Sequence, residues 1–369
     1  MCIKYLRRKN KMVDAIYIHV PFCIKKCNYC DFHSFASVPE ERKKYAEYVK
    51  REIELYPKIE YDTVYFGGGT PSLLEVEDVK KILGELKIKE RAEVTMEVNP
   101  RSVNLEKLKA LRELGINRLS IGVQSMDEKY LKLLGRVHSK EEGVKTYLDA
   151  REAGFKNISL DLMFSLPGQT LEEVERDLEK LLELRPEHFS IYSLIWEEGT
   201  PFFDKLMSGE LQETDNDLEA DMYEMIIRKA KEAGYVHYEI SNFALPGYEA
   251  RHNSKYWENR EYIGIGLGAS GYYEGIRYKN LMKFDEYYGS IDSKKFPILE
   301  REEVTPEERD VYEYILGLRL LEKGVKVGGP HEEECKKLLE KGELVISDGR
   351  YVLSHSGLMR ANDIFNEFI

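Results

Sequence analysis

The sequence predicts an α/β fold built on a parallel sheet curled into a barrel or part-barrel. Two observations lead there. Between Ala15 and about Leu194, six short apolar runs alternate with longer segments of helical periodicity, which is the order of repeated βα units. The polar signals that interrupt this pattern are CIKKCNYC, GGGTP, Glu97 with Asn99, Gln124 and Asp161. They gather at the carboxyl ends of strands, the rim on which such a sheet collects its functional groups.

The predicted strands are Ala15–Val20, Asp62–Phe66, Glu93–Val98, Arg118–Gly122, Ile158–Met163 and His188–Leu194. Their near-continuous apolar character implies parallel pairing. EVEDVKKILGEL, LEKLKALRELG and TLEEVERDLEKLLEL read as the helices between them, several running into a terminating Gly. A long helix is expected over Asp215 to Glu232. The Gly-rich YIGIGLGASGYY, with Gly264, Gly266, Gly268 and Gly271, lacks a phosphate-loop lysine and a following βαβ unit, so close backbone packing is its expected role. After Phe296 the texture changes. Helical VYEYILGLRLLEKG and HEEECKKLLEKG precede a hairpin around Asp348-Gly349 and a last helical stretch, the pattern of a mainly helical, winged-helix-like module. The expected organisation is therefore a basic leader (1–14), the barrel (15–235), a barrel-associated extension (236–295) and the C-terminal module (296–369).

With 42% hydrophobic and 33% charged residues, the chain is globular rather than fibrous or disordered. A net charge of −12 argues against nonspecific nucleic-acid binding, which needs an excess of Lys and Arg. The C-terminal module carries sixteen acidic and ten basic residues, so docking is a better expectation for it than DNA binding. Lys4, Arg7, Arg8, Lys9 and Lys11 precede the first acidic residue, Asp14, but no apolar run follows them. A cytoplasmic protein without stable membrane insertion is expected, and Met12 is an alternative start. Five cysteines do not form a disulfide framework. Cys2 and Cys335 stand alone, read as a terminal thiol and a half-buried helical residue.

The other three, Cys23, Cys27 and Cys30, have the spacing C-x3-C-x2-C. A zinc site would need a fourth ligand, which His19 or His33 could supply, but it gives the polar strand ends no role. A cluster of purely structural thiols is a second reading. A [4Fe–4S] cluster on three thiolates is the third; it leaves one iron open to a small chelating molecule. In this last form the motif resembles that of the radical S-adenosylmethionine (SAM) superfamily. There the amino and carboxylate groups of SAM bind the open iron, and an electron from the cluster releases a 5′-deoxyadenosyl radical. The resemblance implies a partial (β/α)6 TIM-like barrel.

YIHVPFCIKKCNYCDF, YFGGGTPSLL, EVNP, RLSIGVQS, LGRVHS, DLMFSLPGQT, HFSIYSL, EISNFA and LGLRL extend the likeness to the oxygen-independent coproporphyrinogen III oxidase group and its relatives. By motif match, Tyr17, Gly68 and Glu97 would contact the cluster-bound SAM. Tyr29, Gly69, Thr70, Gln124, Arg136 and Asp161 match positions that hold a second SAM in the oxidases. Two departures point away from the oxidases themselves: Phe32 stands where they carry a further cysteine, and only 22 residues precede Cys23. HNSKYW, His252 to Trp257, is similar to the HNxxYW motif of HemW-type haem chaperones, which implies haem binding, with His252 as a candidate iron ligand, and transfer to acceptor haemoproteins such as respiratory ones. The expected function is that of a haem chaperone without coproporphyrinogen oxidase activity. The oxidase is the alternative and a zinc-stabilised binding protein the third reading.

Overall fold

The computed structural model describes residues 13–36 and 38–369; the basic leader as far as Met12, including Cys2, lies outside the described residues. The main sheet has nine strands: β1 (Ala15–Val20), β2 (Glu60–Gly68), β3 (Lys87–Val98), β4 (Arg118–Gln124), β5 (Ile158–Phe164), β6 (His188–Ser193), β7 (Val236–Glu239), β8 (Asn242–Ala244) and β9 (Ile263–Ile265). Their order is β9-β1-β2-β3-β4-β5-β6-β8-β7. From β1 to β6 every neighbouring pair is parallel and the order never reverses. Right-handed crossovers then put all the connecting helices on one face, so the sheet is a part-barrel with its helices outside. The segment after residue 235 supplies both edges: β9 lies parallel to β1, and β8 and β7 add antiparallel strands beyond β6.

All six predicted strands are present, most of them longer than expected. The largest difference is β3, which begins at Lys87 because Glu60 and Tyr61 already pair with Lys87 and Ile88 ahead of an irregularity in β2. The helices start where local chemistry says they should. Asn104 and Asp215 accept hydrogen bonds from the first-turn N–H groups of Leu105–Glu113 and Asn216–Glu232, and Thr170 with Glu173 forms a capping box on Leu171–Leu184.

The near-continuous apolar runs pair in parallel as expected, and within them the two faces of the sheet differ. Ile16, Ile18, Val64, Phe66, Val94, Met96, Leu119, Ile121, Leu160 and Leu162 join one apolar cluster with the helices. The intervening residues lie in register across the opposite face, where Tyr17 is paired with Tyr65, Glu97 with Ser120, Ser159 with His188 and Asp161 with Ser190. Only one face has helices to cover it, so only one face is apolar.

The Gly-rich segment does pack closely. A Cβ on Gly264 would lie 1.9 Å from the Ser270 carbonyl oxygen, and one on Gly271 would lie 2.2 Å from the Tyr278 ring. Glu52, wholly buried on helix Pro39–Ile53, ties this segment to the barrel. It accepts hydrogen bonds from the Gly266 N–H (2.8 Å), Asn280 Nδ2 (2.7 Å) and the Tyr287 hydroxyl (2.6 Å).

In the C-terminal part, Val325–Lys326, Leu344–Ser347 and Arg350–Leu353 form a small antiparallel sheet. The Asp348-Gly349 turn has positive φ at both residues (47° and 71°), as a two-residue hairpin of this hand requires. Helices Pro306–Gly317, Glu332–Glu340, His355–Met359 and Ala361–Asn366 surround the sheet and share a separate apolar cluster running from Tyr314 to Phe368. Cys335 sits in that cluster fully buried, not half-buried, because its helix faces the small sheet. Ile298–Glu303 pairs instead with Ile276–Asn280 of the preceding segment.

Replacing Glu52 by Ala leaves the buried Gly266 N–H and Tyr287 hydroxyl without an acceptor and takes one of two acceptors from the Asn280 amide. The substitution should lower the free energy of unfolding by about 3 kcal/mol, read as a reduced urea midpoint. An unchanged midpoint would show that this junction contributes nothing net.

Candidate functional site

A cavity of about 400 Å³ opens at the carboxyl ends of the parallel strands. Its lining includes Gly68 from β2, Glu97 from β3, Gly122 and Gln124 from β4, Asp161 from β5 and Tyr192 from β6, with Cys23, Cys27 and Cys30 on the loop that follows β1. Of the thirteen residues expected at the site, eleven line this cavity: the three cysteines, Tyr29, Gly68, Gly69, Thr70, Glu97, Gln124, Arg136 and Asp161. Tyr17 and His252 do not.

The cysteine loop is held at several points. Phe22–Cys23 pairs in parallel with Phe35–Ala36, which closes the base of the loop. Asn28 fastens its middle: its side chain donates to the Leu133 carbonyl (2.9 Å), its own N–H donates to Leu134 (3.0 Å), and its carbonyl accepts from the Phe202 N–H (3.0 Å). Gly135, with φ +73°, allows this approach, since a Cβ there would come within 2.9 Å of the Asn28 amide oxygen. His33 is occupied with the Met282 carbonyl (2.7 Å), and His19 with the Tyr17 hydroxyl (2.9 Å) and the His33 carbonyl (3.2 Å). Neither imidazole lines the cavity. Among the described residues no three His, Cys, Asp or Glu side chains converge as on one metal ion; the three thiols share a wall.

Two of the thiols are joined by a polar chain. Thr70 Oγ1 faces Cys23 Sγ (3.7 Å) and accepts from Asn99 Nδ2 (2.7 Å). Asn99 Oδ1 accepts from Arg136 Nη2 (2.5 Å), while Arg136 Nη1 donates to Cys27 Sγ (3.4 Å). Arg136 also donates to the Gly122 carbonyl (2.6 Å). Burial pushes the Cys30 thiol up to about 11, so a metal there would displace a proton.

The glycine run has neighbours within the chain. A Cβ on Gly67 would meet the Tyr17 and Tyr65 rings at 2.8 and 2.9 Å, and one on Gly69 would meet the Phe22 carbonyl oxygen at 2.6 Å and Cys23 Sγ at 3.0 Å. Gly68, at φ +111°, rests on the His19 ring and donates its N–H to Glu97 Oε2 (3.1 Å). Glu97 Oε1 accepts from the Tyr65 hydroxyl (2.8 Å). Burial nevertheless pushes the Glu97 carboxyl up to about 7. Tyr17 lies behind this wall, its ring stacked 6.1 Å from Tyr65.

Gln124 is turned into the cavity by backbone geometry that sequence does not announce. The pairing of β4 with β5 shifts register between Gly122 and Gln124, and Gln124 takes φ +70°. Irregularities of this kind re-aim side chains beside functional sites. Its Oε1 accepts from the Tyr192 hydroxyl (2.8 Å). Asp161 accepts from Ser120 and Ser159 (both 3.1 Å), and burial holds its carboxyl above the usual range. Asn28, Ser120 and Tyr192 were not expected at the site. The alternation of polar with apolar residues along the strands was the available signal for Ser120 and Tyr192; Asn28 had none.

His252 is fully buried on the short helix Arg251–Trp257. Its Nδ1 is hydrogen-bonded to Thr63 Oγ1 (2.9 Å), its Nε2 to the Tyr256 hydroxyl (2.7 Å), and its ring stacks 5.1 Å from that of Tyr65. Around it, Lys255 pairs with Asp14 (2.7 Å), Arg251 with Asp62 (2.6 Å), and Trp257 lies under Arg319 of the C-terminal part (4.4 Å). The HNSKYW helix therefore bridges the barrel floor and the C-terminal part. Both ring nitrogens of His252 are already engaged.

The family pattern of the Radical SAM superfamily matches residues 17–181. The "Heme chaperone HemW" of Bacillus subtilis (strain 168) is 38% identical over 97% of this chain and 99% of its own length. That of Lactococcus lactis subsp. lactis is 36% identical over 96% and 97%. Among solved structures, the coproporphyrinogen III oxidase HemN of Escherichia coli superposes with a TM-score of 0.83 at 21% identity, over 98% of this chain and 91% of that one, which shows a shared fold. With relatives this similar along almost their entire length, the chain belongs to the radical SAM superfamily and, within it, to the HemW family.

Proposed function

We propose that this chain is a cytoplasmic haem chaperone, which binds haem and passes it to acceptor haemoproteins such as those of respiration. In this reading Cys23, Cys27 and Cys30 carry a [4Fe–4S] cluster and SAM binds at its open iron. The observation that carries the proposal is the meeting of a full-length likeness to HemW proteins with one cavity lined by all three thiols and the polar strand ends. No described helix is long and apolar enough to cross a membrane.

The donor set fits the cluster. Three thiols share a wall, Arg136 donates a hydrogen bond to the Cys27 sulfur, and Gly69 leaves room where a side chain would strike Cys23. When bound, the cluster supplies single electrons for reductive cleavage of SAM. The protein's part is to orient and to keep water out. Glu97 would offset the positive charge of SAM, with the Tyr65 hydroxyl and Gly68 N–H holding the carboxylate in place. Tyr29, Gln124 and Asp161 would hold its ribose or carboxylate, or a second SAM, beside Gly69, Thr70 and Arg136. The oxidative decarboxylation of coproporphyrinogen III is the second reading, supported by the shared fold and motifs. Phe32, in place of the oxidases' additional cysteine, weighs against it.

Anaerobic protein titrated with haem should bind it stoichiometrically, and with reductant, SAM and coproporphyrinogen III it should form no protoporphyrinogen; steady product would favour the oxidase. Cys27→Ala should abolish the cluster's visible absorbance while the far-ultraviolet circular dichroism of the barrel persists, and an unchanged spectrum would refute the ligand assignment. SAM affinity, followed calorimetrically, should rise as pH increases through about 7, because a carboxyl with a raised pKa gains its charge only above that value. Glu97→Gln should flatten this dependence and weaken SAM binding roughly tenfold. A variant with the wild-type pH profile would remove Glu97 from the SAM site.

A further inference from the structure

The mouth of the cavity has a character that its polar interior does not explain. Ile24, Phe32 and Ile195 line it while remaining 51%, 57% and 67% exposed. Two belong to the cysteine loop and the third follows β6, so opposite sides of the opening contribute. Single exposed apolar side chains are ordinary, but three around one opening mark a surface that meets something apolar. Lys25 and Lys26 stand between them in the same lining, both exposed. Among the described residues neither forms an ion pair with a carboxylate. The same lining carries Asp31 next to Phe32 and Glu197 shortly after Ile195, so the positive charge at the mouth is confined to the Lys25–Lys26 pair.

We propose that this collar is the resting place of haem, an inference that rests on the chaperone reading above. Haem is a flat, apolar disc with two carboxylates on one edge. Ile24, Phe32 and Ile195 match the disc, and Lys25 with Lys26 matches the carboxylates. The cargo then lies over the cluster cavity at the protein surface, open to an acceptor, whereas His252 is sealed beneath β2. The position of Phe32 acquires a physical role, since an aromatic ring there offers the porphyrin a face to lie on.

The test is a spectrophotometric haem titration of anaerobic, cluster-loaded protein. Phe32→Ser and Ile195→Ser should each weaken haem binding roughly tenfold. Wild-type protein should prefer haem to its dimethyl ester, in which both carboxylates are masked, and the Lys25→Gln/Lys26→Gln double variant should lose that preference. Ile195 lies outside the cysteine loop, so Ile195→Ser should keep the cluster absorbance and separate a lost haem site from a damaged loop. Variants with wild-type haem affinity and an unchanged ester preference would overturn the collar while leaving haem binding intact. Wild-type protein that takes up no haem would overturn both the collar and the chaperone reading.

Discussion

A parallel sheet whose strands follow one another without reversal can receive helices on one face only. Most of what distinguishes this protein follows from that constraint. The covered face is apolar throughout, and the open face must be filled with groups that satisfy each other. Tyr65 donates to Glu97, Ser120 and Ser159 donate to Asp161, and His188 bonds to Ser159 and to Tyr238. Such a lumen cannot collapse into an apolar core. It holds polar groups at fixed, buried positions, the setting in which charge interactions are strongest.

The cysteine loop takes its shape from this scaffold rather than from its own sequence. It contains too little apolar surface to order itself, and its anchors are remote in the chain: Leu133 and Leu134, Phe202, and Met282. The chain from Cys23 through Thr70, Asn99 and Arg136 to Cys27 draws on the ends of two strands and on the turn at Arg136. The position of the thiols is thus a property of the assembled rim.

In the HNSKYW segment one short helix supplies several buried contacts at once. The residue types that suit haem ligation also suit a buried junction. Here His252, Lys255 and Trp257 bind Thr63, Asp14 and Arg319, three partners far apart in the chain. Such a junction transmits order from the barrel floor to the C-terminal part. Through Tyr65 it also touches Glu97, since the ring that stacks on His252 carries the hydroxyl that bonds the carboxylate.

The sequence by itself determined the order of strands and helices, the capping of Leu105–Glu113 and Leu171–Leu184, and the three clustered thiols, because these are local: they depend on periodicity, on neighbouring side chains and on spacing along the chain. It also carried the polar face of the strands, visible in alternations such as RLSIGVQ. Tertiary structure alone decided that Gln124 turns inward, that Asn28 pins the loop, that Gly67 and Gly69 are required by Tyr17 and Cys23, and that His252 is enclosed. Each of those facts depends on a partner tens to hundreds of residues away, or on a register shift between strands. Sequence patterns carry no distances between such segments; packing supplies them.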